Sequence, residues 1–155
     1  RLAAAVAIEE PGLPQVAGPG GVHGLDHVGV HLDLFVAAFN VGAAVLLENG
    51  KIITGSNQEN AAYPSGLCAE RVALFYASAQ YPDIPVKAIA IAAVKDGRPL
   101  TIPVPPCGGC RQVFIEWEKR FDKSFSVIMA GSQKIIRTGK AAYLLPFTFQ
   151  ADFLG

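Results

Sequence analysis

Two apolar runs, "VGAAVLLE" and "KIITGS", flank Asn49-Gly50. That dipeptide between alternating apolar segments is the strongest short-range signal for a β-hairpin. Further along, "LCAERVALFYASAQ" places Leu67, Val72, Ala73, Phe75, Tyr76 and Ala79 near one stripe. This predicts a helix that stops before Tyr81-Pro82-Asp83. "VKAIAIAAVK" is a continuous apolar run, expected to be a strand buried on both faces and turned by Asp96-Gly97. "TIPVPPCGG" carries too much proline for a central strand and reads as a loop. "CRQVFIEWEKRF" predicts an amphipathic helix with Val113, Phe114 and Trp117 inward. "FSVIMAG" and "KIIRTG" are the last strands, and "KAAYLLP" is a short helical turn ended by Pro146. The order β-β-α-β-α-β-β predicts an α/β fold, a three-layer α/β/α sandwich around a mixed five-stranded sheet.

The first third of the chain is different. "EEPGLPQVAGPGG" reads as loop, and "HVGVHLDLFV" alternates Val28, Val30, Leu32, Leu34 and Val36, a strand period. Residues 1–36 hold one basic residue, Arg1, and no lysine. The chain therefore divides into an atypical N-terminal segment, 1–38, and a domain, 39–155. All three histidines, His23, His27 and His31, fall in the first part, four residues apart. On a helix they would share a face, as metal ligands often do. Gly24, Gly29 and the flanking alternation favour extended chain instead, which would not gather all three.

Composition narrows the function. The 155 residues are 51% hydrophobic and 17% charged, with Lys+Arg and Asp+Glu balanced at 13 each. A chain this long buries roughly 70% of its unfolded surface, enough for a core without staples. Zero net charge offers no footprint for nucleic acid or for an anionic membrane. An apolar, neutral surface is expected to be covered in part by sister subunits. No apolar run is long enough to span a bilayer. "LAAAVAI" reads as a weak secretory h-region, short and cut off by Glu9, Glu10 and Pro11. Three cysteines, an odd number, argue against a disulfide framework and for the cytoplasm.

Those cysteines sit at two helix starts: Cys68 opens one, Cys107 and Cys110 open the other within "PPCGGC". A helix N-terminus stabilises a thiolate. Two such termini aimed at one point would gather three thiolates around a soft cation, for which zinc is the natural occupant. A lone C-x-x-C could also be redox-active, but that role leaves Cys68 unexplained and normally follows a strand rather than a Pro-rich loop. The fourth zinc position could be closed by a histidine, giving a structural site, or left to water, giving a catalytic one. Glu70, two residues after Cys68, favours the second. A hydrolytic site needs a carboxylate to take a proton from zinc-bound water, whereas a structural site has no use for it. Arg71 and Arg111 each follow this machinery directly and are expected to donate to the thiolate sulfurs, draining their negative charge.

"CAER" with "PPCGGCRQ" resembles the zinc-dependent cytidine deaminases, in particular the small homotetrameric form, over residues 39–149. Their Glu…Pro-Cys-x-x-Cys signature belongs to the zinc nucleobase deaminases generally. The segment "FNVGAAVLLENGKIITGSNQENAAYPSGLCAER" matches the family's Phe-x-Val-Gly-Ala-Ala…Asn-x-Glu-Asn-Ala-x-Tyr pattern. The resemblance implies one Zn²⁺ per subunit on Cys68, Cys107 and Cys110, with Glu70 as the proton carrier. It implies that Phe39 packs on the base, Asn57 and Glu59 hold the ribose 3′-hydroxyl, and the Ala69 amide holds the pyrimidine carbonyl. Ala61 and Tyr63 match residues that reach a neighbouring subunit's ribose 5′-hydroxyl, and Phe149 the aromatic that stacks on a neighbour's base. The implied reaction is hydrolytic deamination of cytidine or deoxycytidine to the uridine and ammonia, in pyrimidine salvage. Before the hairpin the family usually has an amphipathic helix and Ala-Tyr-x-Pro-Tyr-Ser-x-Phe; here "LDLFVAAF" keeps only Phe39 of it. Two alternatives stand beside this: a deaminase of a cytosine nucleoside antibiotic such as blasticidin S, and a structural-zinc interaction module. A polynucleotide-editing deaminase fits poorly, for want of a basic surface.

Overall fold

A computed structural model describes residues 39–154. The predicted strand at 27–36 and the histidine stretch lie outside these residues. The hairpin forms as expected: β1 (Phe39–Leu47) pairs antiparallel with β2 (Ile52–Ser56). Its turn closes through the Leu47 amide to the Lys51 carbonyl at 2.9 Å, with Gly50 at φ +81. The helix α1 (Ala69–Gln80) follows, then β3 (Val86–Lys95), a two-residue β4 (Arg98–Pro99), α2 (Gly108–Phe121), β5 (Ser126–Ala130) and β6 (Ile135–Thr138). Asp96 and Gly97 both take positive φ, the geometry that a two-residue hairpin between β3 and β4 requires.

The sheet runs β2-β1-β3-β5-β6, with β4 paired to β3 off this path. β3 and β5 are parallel and every other pair is antiparallel. The sheet is thus mixed, and α2 is the crossover of its parallel pair. β3 is buried nearly throughout, with Ala88, Ile89, Ala90 and Ile91 all at 1% exposure or less.

One sheet face, carrying Ala43, Val45, Leu47, Ile89, Ile91 and Val127, joins both helices in a single core with Ala73, Leu74 and Phe114. The described residues therefore hold the sheet and one helical layer of the α/β fold. The inward stripe of α1 differs from the expected one. Ala69, Ala73, Leu74 and Ala77 are buried, whereas Phe75 and Tyr76 are about half exposed and Ala79 is exposed. Close approach explains the difference. A Cβ on Gly55 of β2 would lie 2.7 Å from the Ala69 carbonyl oxygen and 2.7 Å from the Ala73 nitrogen. The helix backbone lies this close to β2 at Ala69 and Ala73, and that placement leaves Phe75 and Tyr76 off the buried face. On α2 the inward residues are Cys110, Phe114, Ile115 and Glu118, with Val113 and Trp117 packed at the core's margin.

Candidate active site

Cys68 and Cys107 occupy the N-cap positions of α1 and α2, both with extended backbone (φ −68, ψ 148 and φ −67, ψ 167). Neither side chain caps its own helix. They meet each other instead: Cys68 Sγ lies 3.6 Å from Cys107 Sγ, and Cys107 Sγ lies 3.5 Å from Cys110 Sγ. All three sulfurs lie within 4.8 Å of one another. Sulfurs at about 2.3 Å from a tetrahedral zinc would be about 3.8 Å apart. The donor set and its spacing fit that ion.

Electrostatics agree with a cation here. Burial, and next the Glu70 charge, push the Cys110 thiol far above its ordinary range. At Cys107 burial acts the same way, but the Cys110 backbone and the two neighbouring thiols outweigh it and lower the pKa. Negative charge gathered on these sulfurs calls for a positive charge beside them. Arg71 supplies part of one. Its Nη2 donates to Cys68 Sγ at 3.6 Å, and this bond, with lesser help from Cys110, raises the guanidinium's pKa. Its Nε is the one buried side-chain nitrogen or oxygen without a partner among the described residues.

A ligand thiol must shed its proton, so metal and protons compete for the same sulfurs. Zinc added to zinc-free protein is therefore expected to release about two to three protons per ion near neutral pH. The apparent affinity falls as the pH is lowered, because protons return to the thiols. Titration in weakly buffered solution with a pH indicator measures both effects; uptake without proton release would mean the thiols are not the ligands.

A cavity of about 480 Å³ opens onto the cluster, and Cys68, Cys107 and Glu70 line it. Glu70, in the first turn of α1, is only 4% exposed. A helix-start glutamate that merely complements the dipole would sit in solvent. This one faces the cavity beside the sulfurs.

Phe39, Asn57, Glu59, Tyr63, Ala69 and Arg71 also line this cavity. Asn57 and Glu59 stand together, as their spacing on extended chain predicts: Asn57 Nδ2 donates to Glu59 Oε1 at 2.8 Å. Asn57 Oδ1 accepts the Val41 amide at 2.8 Å and Nδ2 also donates to the Phe39 carbonyl at 3.4 Å, so the side chain ties the segment to β1 at two points. Ala61 and Phe149 do not line the cavity of their own chain. Tyr63 lines it but is 85% exposed.

Arg111 does not take the place beside the thiolates that its sequence position suggests. Its guanidinium does not reach the sulfurs: Nε donates to the Pro106 carbonyl at 2.7 Å and Nη1 to the Leu144 carbonyl at 3.0 Å. Cys110 is buried in the core, whereas Arg111 is half-buried with its guanidinium on these two carbonyls. Adjacency in sequence placed the two on different faces.

The family model for the cytidine and deoxycytidylate deaminase zinc-binding region matches residues 35–123, more than half of the chain. This chain belongs to the cytidine deaminase family. A cytidine deaminase from Halalkalibacterium halodurans is 42% identical over 114 residues, 74% of this chain and 80% of the relative. One from Sporosarcina psychrophila is 40% identical over 116 residues, 75% and 79% of the two chains. The crystal structure of cytidine deaminase from Burkholderia pseudomallei superposes with a TM-score of 0.59 at 39% identity, covering 72% of this chain and 82% of that one.

The matched region is a zinc-binding one, and the three-cysteine cluster lies within it and could hold that ion. Among the described residues, sequence reasoning missed Glu118. Its buried carboxylate accepts the backbone amides of Phe125 (3.1 Å), Ala141 (2.8 Å) and Ala142 (3.2 Å). A signal existed: Glu118 follows Cys110 and Phe114 at four-residue steps, on the stripe that faces the core.

Proposed function

We propose that the chain hydrolyses cytidine and deoxycytidine to the corresponding uridines and ammonia, as a step of pyrimidine salvage in the cytoplasm. The single observation that carries this is the buried Glu70 beside three clustered thiols at the end of a nucleoside-sized cavity. Zinc held by Cys68, Cys107 and Cys110 would supply Lewis acidity, bringing the ionisation of a water at its open position to near neutral pH.

The protein's own groups do the rest. The first-turn amide of Ala69 has no partner within its helix and can bind the pyrimidine carbonyl. Phe39 packs on the base. The Asn57 amide and the Glu59 carboxylate, already in contact, bracket a sugar hydroxyl with a donor and an acceptor. Glu70 accepts a proton from the attacking water and delivers it to N3 of the pyrimidine. It then carries a second proton to the amino group as the C4–N bond breaks and ammonia leaves. Arg71 keeps negative charge on Cys68 from accumulating.

The pocket is completed between subunits in a homotetramer. Ala61 and Tyr63 reach a neighbour's ribose 5′-hydroxyl, and Phe149 stacks on a neighbour's base. Their exposure supports this, as does that of Phe75, Tyr76 and Phe153. A structural-zinc module is disfavoured by the cavity that meets the sulfurs.

Incubation with cytidine, deoxycytidine and free cytosine, with ammonia assayed, tests the reading. Release is expected from both nucleosides and not from the base. Release from cytosine alone would contradict the ribose assignments, and none from any substrate would contradict the function.

A further inference from the structure

The helix that bears two of the three thiols also holds the C-terminal segment, and it does so with side chains. Gln112 Nε2 donates to the Phe149 carbonyl at 2.7 Å and to Glu116 Oε1 at 3.1 Å. One turn of α2 thus carries Cys110 inward, Arg111 bound to the Leu144 carbonyl, and Gln112 bound to Phe149. Further along, Lys119 pairs with Asp152 and donates to Gln150 Oε1 at 3.3 Å.

Between Pro146 and Phe149 no backbone group takes part in a backbone–backbone hydrogen bond outside the described helices and strands. The segment has no ladder of its own. Its path is set by the hooks on α2. Phe149 itself stacks on Phe153, ring centroids 6.1 Å apart and 21° between planes, and stays 59% exposed.

We propose that Gln112 is a positioning residue: it fixes the backbone of Phe149 so that this ring is presented, already ordered, to the substrate site of a neighbouring subunit. Arg111 anchors the start of the same segment at Leu144. The inference rests on the reading of Phe149 as a stacking residue and adds the group that aims it. A preordered ring binds substrate without first losing its freedom, so removing the hook weakens binding rather than the chemical step.

Gln112→Ala, Phe149→Ala and the double variant test this, each assayed for KM and kcat on cytidine, with zinc content determined. Gln112→Ala is expected to raise KM by about three- to tenfold and to change kcat by less than about twofold, with zinc retained. Amide exchange in residues 150–154 is expected to quicken. Phe149→Ala is expected to raise KM at least as far. The double variant should be no worse than Phe149→Ala alone, because the hook acts only through that ring. Gln112→Glu, which cannot donate to a carbonyl, should behave as Gln112→Ala.

If Phe149→Ala raises KM while Gln112→Ala does not, or if the two effects multiply, the positioning role is wrong. If Phe149→Ala leaves KM unchanged in an active enzyme, the stacking reading fails and takes this proposal with it. Absence of deamination by the unaltered protein is the separate failure of the proposed function.

Discussion

Replacing Glu70 by glutamine is expected to leave zinc in place and to remove nearly all turnover. Glutamine has the same shape, so α1 keeps its first turn and Cys68 its position. The group that could hold the ion is the three sulfurs, without the carboxylate. What glutamine cannot do is accept a proton and return it. General acid–base catalysis contributes roughly 10²–10⁴-fold to a rate. A residue that carries protons in more than one step belongs at the upper end, so kcat is expected to fall by about 10³–10⁴-fold. Metal analysis and a cytidine assay on the same preparation check both halves. Unchanged activity would rule out the proton-carrier role, whereas loss of zinc would move Glu70 into the metal's own shell.

The largest effect on stability is expected at Glu118. Its carboxylate holds the start of β5 through Phe125 and the turn at Ala141–Leu144 through two amides. Glu118→Leu keeps an apolar body on α2 and removes all three acceptor contacts. An orphaned buried N–H costs about 1–3 kcal/mol, less where relaxation admits water. Three of them make a loss of roughly 3–5 kcal/mol, at the upper end for a single substitution. In a domain of this size that corresponds to a fall in Tm of about 6–20 °C. Glu118→Gln separates the causes. Oε1 accepts from both Phe125 and Ala141, so an amide oxygen placed there keeps two bonds and turns an NH₂ toward the Ala142 amide. Its Tm should lie between those of the wild type and Glu118→Leu. Equal stability of all three proteins would mean that the carboxylate is not what holds these segments together.

Local features of the chain are legible in its sequence. The hairpin at Asn49-Gly50, the helix starts at Cys68 and Cys107 and the buried strand from Val86 form where the residue pattern puts them. Each depends on residues within one turn or one loop of each other. The chemistry of "CAER" and "PPCGGC" is legible for the same reason, since a helix start, a thiol and a carboxylate one turn apart are local facts. Packing partners are not. Hydrophobicity assigns Phe75 and Tyr76 to the inward face of α1, but the close approach of Gly55 to the Ala69 and Ala73 backbone turns Ala69, Ala73, Leu74 and Ala77 inward instead. Arg111 sits beside a ligand cysteine in sequence, yet it spends its donors on carbonyls 5 and 33 residues away. Glu118 lies on a core-facing stripe, and its partners are 7, 23 and 24 residues further on.

By itself the sequence determined which groups are present and how neighbours along one element are oriented. Those follow from fixed periods of helix and strand. The tertiary structure alone decided that Cys68 and Cys107, 39 residues apart, stand 3.6 Å from each other. The antiparallel hairpin draws α1 against β2, and the parallel pairing of β3 with β5 lays α2 as a crossover on the same face. Both helix N-termini then open at one point. Spacing along a chain cannot specify that meeting, because it depends on strand order, register and the volume of the side chains between the layers.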